Sequence, residues 1–186
     1  MRTNNPFLIS GYHSPEFFCD RKNETKTIIS ALHNGRNVTL IAPRRMGKTG
    51  LIHHSFYNIK EENAEIITLY MDILPTQNLG DFVKLFAETV LGKLDFVIDI
   101  TSANEESTLK EVFNYLASSE KRCYIAIDEF QQITEYPEKG VEALLRSYIQ
   151  FLPNVNFIFA GSKKHIMQKM FTSSTRPFYQ STQILN

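Results

Sequence analysis

Residues 42–49 read Ala-Pro-Arg-Arg-Met-Gly-Lys-Thr, and these residue types in this order can grip a polyphosphate. An apolar run, Val38-Thr39-Leu40-Ile41, precedes them, and an apolar periodic stretch from Leu51 to Tyr57 follows. Strand, tight loop, Gly-Lys-Thr and helix in succession form a phosphate-binding loop. The start of a helix presents unpaired N–H groups and partial positive charge to an anion. Gly47 lets the backbone turn closely around the phosphates. Lys48 reaches β- and γ-phosphate oxygens, and the Thr49 hydroxyl can ligate Mg²⁺. Pro43, Arg44, Arg45, Met46 and Gly50 complete the expected nucleotide contacts. Arg44 and Arg45 could touch phosphate or a partner subunit, but as loop charges they read first as solvated. Ala42 stands where this motif usually opens with glycine; that position closes the strand and need not touch phosphate.

Residues 123–129, Cys-Tyr-Ile-Ala-Ile-Asp-Glu, are an apolar β-rich run that ends in two acids. A parallel strand covered on both faces is continuously apolar, and its C-terminal end delivers polar groups to the ligand crevice. Asp128 is expected to hold Mg²⁺, through water, and Glu129 to orient and deprotonate an attacking water. A third apolar run, Val155-Asn156-Phe157-Ile158-Phe159-Ala160, ends in Gly161-Ser162. Ser162 has two compatible readings: a sensor of γ-phosphate that positions the water, or the N-cap of the next helix. No Gly-x-Ser-x-Gly elbow surrounds it, so it is not a nucleophile. Gln131 and Gln132 follow the acids; one could position water, though surface or packing roles come first. His53-His54 lacks metal-ligand spacing and reads as packing or surface.

These groups need a scaffold that alternates helices and strands. Helices are expected over residues 23–33, 48–59, 79–94, 107–117, 141–152 and 163–171 from apolar residues recurring every three to four positions. Strands are expected over 37–41, 65–73, 122–127 and 155–160, with a possible fifth within 178–185. The alternation predicts an α/β fold with a parallel sheet covered on both faces. Residues 1–20 read as an irregular, aromatic-rich arm, residues 21–175 as the core, and residues 176–186 as a last strand or the start of a further region.

The chain has 186 residues, of which 42% are hydrophobic, as expected of one globular domain with its own core. Lysine plus arginine and aspartate plus glutamate each number 20, so the net charge is zero. That balance argues against DNA as the main partner without excluding a local basic patch. Cys19 and Cys123 have no metal-ligand spacing and imply a reduced, cytoplasmic setting. No apolar run is long enough to span a membrane, and the first residues carry no signal-peptide core.

Pro-Arg-Arg-Met-Gly-Lys-Thr-Gly-Leu-Ile, Ile-Asp-Glu-Phe-Gln and Phe-Ala-Gly-Ser together resemble the archaeal-type ATPases of the AAA+/STAND group of P-loop proteins, found in archaea and bacteria. Phe17-Phe18-Cys19-Asp20-Arg21-Lys22-Asn23-Glu24 is similar to that family's N-terminal segment, which implies that Asp20 and Arg21 lie beside the adenine. The resemblance runs from about Phe17 to Tyr179. It implies a three-layer sandwich with strand order 5-1-4-3-2, ATP and Mg²⁺ as cofactors, and adenine rather than guanine as the base; no Asn-Lys-x-Asp guanine motif is present. Lys48, Glu129 and Ser162 would be the catalytic groups, and Thr49 and Asp128 the metal ligands. The family's Tyr-Gly-Arg-like turn is replaced by Arg176-Pro177-Phe178-Tyr179-Gln180, which weakens Arg176 as a phosphate sensor. Arg146 lies where oligomeric relatives place an arginine finger, but an exposed helix charge is the simpler reading. Relatives continue into a helical lid and effector regions, so the sequence reads as a possible fragment. The function expected is a Mg²⁺-dependent ATP-binding and ATP-hydrolysing module that acts as a conformational switch, with a second copy or an effector as possible partner. The alternatives are a nucleotide-dependent scaffold with little turnover and a DNA-associated AAA+ ATPase.

Overall fold

The computed structural model describes residue 18, residues 21–92 and residues 104–185. The elements run α1 (Lys22–His33), β1 (Val38–Ile41), α2 (Lys48–Glu62), β2 (Ile67–Asp72), α3 (Leu79–Leu91), α4 (Glu105–Ser118), β3 (Cys123–Asp128), a 3-10 helix (Phe130–Glu135), α5 (Val141–Ile149), β4 (Val155–Gly161), α6 (Lys164–Thr172) and β5 (Gln183–Leu185). The expected N-terminal arm and the end of the expected 79–94 helix, Leu94 included, lie outside the described residues, apart from Phe18.

The five strands form one parallel sheet in the order β2-β3-β4-β1-β5, which is 5-1-4-3-2 read from the other edge. Strand β3 is buried at every position, yet its side chains still alternate between the two faces. Tyr124 and Ala126 join Leu40, Ile158 and Ala160 under α1 and α2, where Ile28, Leu32, Ile52 and Ile59 cover them. Ile125 and Ile127 join Leu69, Met71, Phe157 and Phe159 under the helices of the opposite layer. Two separate cores on one sheet make the three-layer sandwich, and they explain why the strands read as unbroken apolar runs.

Several boundaries depart from the periodicity. Helix α5 stops at Ile149, short of Pro153, and leaves Phe151 76% exposed. The fifth strand is confined to Gln183–Leu185. Phe178 is not part of it: fully buried in a turn, it packs its ring 5.3 Å from Phe159 and 5.4 Å from Phe130 and Phe171. The 3-10 helix directly after the two acids has no counterpart in the sequence reading. It forms where Phe130 turns into this aromatic cluster, with its ring 4.5 Å from Phe159, and so the chain after Asp128-Glu129 is pinned to the core. Among the described residues no helix is long and apolar enough to cross a membrane.

Candidate functional site

Strand β1 enters the loop at Ala42, whose N–H donates to the Gly161 carbonyl at 3.4 Å. The loop then needs two left-handed residues, Arg45 (φ 64°) and Gly47 (φ 71°). Glycine adopts that conformation freely, whereas arginine does so at a cost. Ala42 is not among the residues with positive φ, and its groups in use are those of the backbone, so a methyl group is accommodated there. Helix α2 begins at Lys48 with no side chain capping it, and its first backbone bond runs from Leu51 N–H to Gly47 O at 2.9 Å. The N–H groups of the first turn therefore have no intrahelical acceptor, and they make the positive end of a helix available to an anion.

Lys48 is buried, at 7% exposure, and its ammonium donates to the carbonyls of Ala42 (2.8 Å) and Pro43 (3.3 Å). An ammonium has three donors, so one remains for a further acceptor. Pro43, Arg44, Arg45, Met46 and Gly47 are exposed along the loop. Gly50 faces Phe18, whose ring would lie 3.6 Å from a β-carbon at that position. Arg21 pairs loosely with Glu24 at 3.9 Å and lines a small cavity shared with Lys48, Ala42, Leu51 and Leu185. Asp20 lies outside the described residues.

The Thr49 hydroxyl donates to Asp128 Oδ2 at 2.7 Å, and the Tyr70 hydroxyl donates to the same oxygen at 3.0 Å. Asp128 Oδ1 accepts the Glu129 N–H at 2.9 Å. Asp128 is 4% exposed, so these donors balance a carboxylate withdrawn from water. Burial first, and then the Asp128 charge, raises the Tyr70 phenol far above its ordinary range and keeps it a donor. Tyr70 was not anticipated as part of the site. Its place on β2, next to β3 with Asp72 opposite Asp128, depends on strand order and register. Burial against these acids raises the Asp72 carboxyl, helped by the charges of Asp128 and Glu129.

Glu129 sits in the left-handed region at φ 54°. Its Oε2 accepts from Ser162 Oγ at 2.7 Å and from the Gln131 amide. Burial alone would push its carboxyl up, but those two hydrogen bonds and the positive charges of Lys48 and Arg44 outweigh it and hold the carboxyl below its ordinary value. The N-cap reading of Ser162 fails: the cap position of α6 is Lys163, with no side-chain cap, and the serine turns to Glu129 instead. Gln131 is likewise buried rather than a surface residue. Arg176 is ion-paired with Glu142 at the start of α5. His53 and His54 pack as expected: His54 stacks on Phe18 with ring centroids 4.2 Å apart, and His53 lies tilted against Tyr70 at 4.5 Å. Burial lowers the pKa of both. Among the described residues no group of three or more His, Cys, Asp or Glu is arranged so that it could hold a metal ion by itself.

The loop, the end of β3 and the end of β4 thus converge at the carboxyl ends of three adjacent strands, with an uncapped helix start, a buried ammonium, a hydroxyl–carboxylate pair and a second carboxylate held by two donors. Mg²⁺ takes hard oxygen donors and keeps most of its shell for water and phosphate, so the Thr49 and Asp128 oxygens fit it chemically.

Known proteins share this fold. The Aeropyrum pernix ORC2 protein, solved as ADPNP–ADP complexes, superposes with a TM-score of 0.72 at 17% identity, over 90% of this chain and 47% of that one. The Walker-type ATPase paby2304 of Pyrococcus abyssi gives 0.67 at 18% identity, over 97% of this chain and 56% of that one. The Aeropyrum pernix ORC1 protein in complex with DNA gives 0.66 at 12% identity, over 92% and 47%. At these identities the likeness concerns the fold, and this chain spans about half the length of those proteins. No curated protein sequence matches the chain. The sequence family described as an AAA domain matches residues 34–185, from the turn before β1 to the end of β5, and the chain belongs to that family.

Proposed function

We propose that this domain binds ATP with Mg²⁺, hydrolyses the β–γ phosphoanhydride bond, and switches conformation with the state of the bound nucleotide. The observation that carries this reading is the convergence of Thr49 with Asp128 and of Glu129 with Ser162 beside an uncapped helix start. Free amides of α2 and the remaining Lys48 donor would bind the β- and γ-phosphates. Thr49 and Asp128 would hold Mg²⁺, which when bound neutralises phosphate charge. Glu129, ionised throughout the neutral range, would align a water and accept its proton, while Ser162 steadies the carboxylate. Arg21 would flank the base. Catalysis of this type is positioning and electrostatic stabilisation.

ATP binding and turnover measured on wild type, Lys48→Ala and Glu129→Gln test this. Lys48→Ala should lose nucleotide binding, and Glu129→Gln should keep binding while hydrolysis drops at least about a hundredfold, the lower bound for an acid–base group. Tight binding by Lys48→Ala, or unaltered turnover by Glu129→Gln, refutes the assignments.

A further inference from the structure

Gln131 is a polar side chain that the roles above leave without a task. It is only 1% exposed. Its Nε2 donates to Glu129 Oε2, while its Oε1 is shut away from solvent and has no hydrogen-bond partner. Burying an amide oxygen without a donor works against stability, so its retention calls for a compensating role. Turning the amide over would set its oxygen against a carboxylate, acceptor against acceptor; the orientation with Nε2 toward Glu129 is the one that bonds.

The surroundings fit this amide closely. A β-carbon at Gly161 would lie 2.3 Å from Gln131 Oε1 and 2.5 Å from Met167 Sδ. The residue before Ser162 therefore leaves room for Gln131, and the two donors reach Glu129 from different segments, Ser162 from the end of β4 and Gln131 from the 3-10 helix after β3. Phe130, fully buried between Glu129 and Gln131, fixes the backbone between them. Ser162 and Gln131 converge on Oε2, and among the described residues Glu129 Oε1 accepts no hydrogen bond.

We infer that Gln131 is a positioning residue which, together with Ser162, occupies Oε2 of Glu129 and leaves Oε1 as the oxygen that takes the proton of the attacking water. This rests on the reading of Glu129 as the base. In that step a water O–H bond breaks and its proton passes to Oε1. The water oxygen bonds to the γ-phosphorus, and the bond from that phosphorus to the β–γ bridging oxygen breaks, with its electron pair leaving on ADP.

The test is steady-state ATP hydrolysis against pH for wild type, Gln131→Met and Gln131→Glu, with fluorescent ATP-analogue binding and thermal unfolding of each. In Gln131→Met, kcat should fall roughly tenfold to a hundredfold, as a misplaced catalytic group costs, while analogue affinity stays within about twofold. Loss of the donor should move the acid limb of the kcat profile to higher pH. Gln131→Glu, equal in size, should move that limb further, because two neighbouring carboxylates resist joint ionisation. A folded Gln131→Met enzyme with wild-type kcat and an unmoved limb overturns the inference. So does a loss of kcat that tracks thermal instability in both variants while the limb stays put. Glu129→Gln separates the two ideas: if it loses turnover while Gln131→Met does not, only the role of Gln131 falls, and if it retains turnover, both fall.

Discussion

Thr49 Oγ1 lies 2.7 Å from Asp128 Oδ2, although 79 residues separate them in the chain. One stands in the first turn of α2 and the other at the last position of β3. Strand β4 lies between β1 and β3 in the sheet, so the pair bridges a strand whose own end supplies Ser162. The carboxyl ends of these three adjacent strands bring separate short motifs into one place.

Tyr70 donates to the same Asp128 oxygen and orients it from β2. Partners behind a metal ligand typically matter about 10–100-fold for metal affinity. Tyr70→Phe is expected to weaken Mg²⁺ activation of hydrolysis by roughly tenfold and to leave Mg²⁺-free nucleotide binding unchanged. A Mg²⁺ titration of activity, with an unaltered half-saturation point as the adverse result, decides it.

Against the effect of burial, the Glu129 carboxyl is held below its ordinary value in the folded protein by its hydrogen bonds from Ser162 and Gln131 and by the charges of Lys48 and Arg44. A carboxyl with a depressed folded pKa contributes stability that is fully present above its unfolded pKa and is lost as pH falls through the folded value. Wild type should therefore gain most in Tm over Glu129→Gln above about pH 4.5, the gap closing at lower pH. Thermal melts of both proteins across pH check this, and a gap independent of pH contradicts it.

Ala42 uses its backbone groups and needs no positive φ. Ala42→Gly, which restores the usual first residue of the motif, should leave ATP affinity within about twofold. It should also cost roughly 0.4–1 kcal/mol of stability through the freer unfolded chain. Isothermal titration and denaturant unfolding read the two effects, and a large gain in affinity would mean that the methyl group obstructs the loop.

Phe178 closes the aromatic cluster that anchors Phe130 behind the acids. Phe178→Ala should destabilise the domain by roughly 3–5 kcal/mol, the usual cost of emptying a large buried aromatic site. Below its lowered melting temperature, turnover should fall further than ATP binding, because Phe130, against which Phe178 packs, directly follows Glu129. A loss below about 1 kcal/mol in urea unfolding would show that the cluster closes without it.

Much of this was legible in one dimension. The loop from Ala42 to Thr49 is contiguous, and its chemistry depends on local backbone and the helix that follows. The covered strands announced themselves as apolar runs because helices lie on both faces, and the alternation of elements fixed a parallel sheet. The strand order came from the resemblance carried by those motifs.

What pattern could not reach were the contacts made across strands. Tyr70 looked like one more β-former in Ile67–Asp72, and Gln131 like a polar residue after a turn. Ser162 suited a helix cap until the end of β4 was set beside Glu129. The 3-10 helix was hidden because Phe130 is held by Phe159 and Phe178, which are remote in sequence, and not by any local periodicity. Residue types and short spacings determine which groups are present and how the nearby backbone turns. Which of them share an oxygen is decided by sheet register and by packing between distant segments, since hydrogen bonds act over about 3 Å and only the folded chain brings such groups that close.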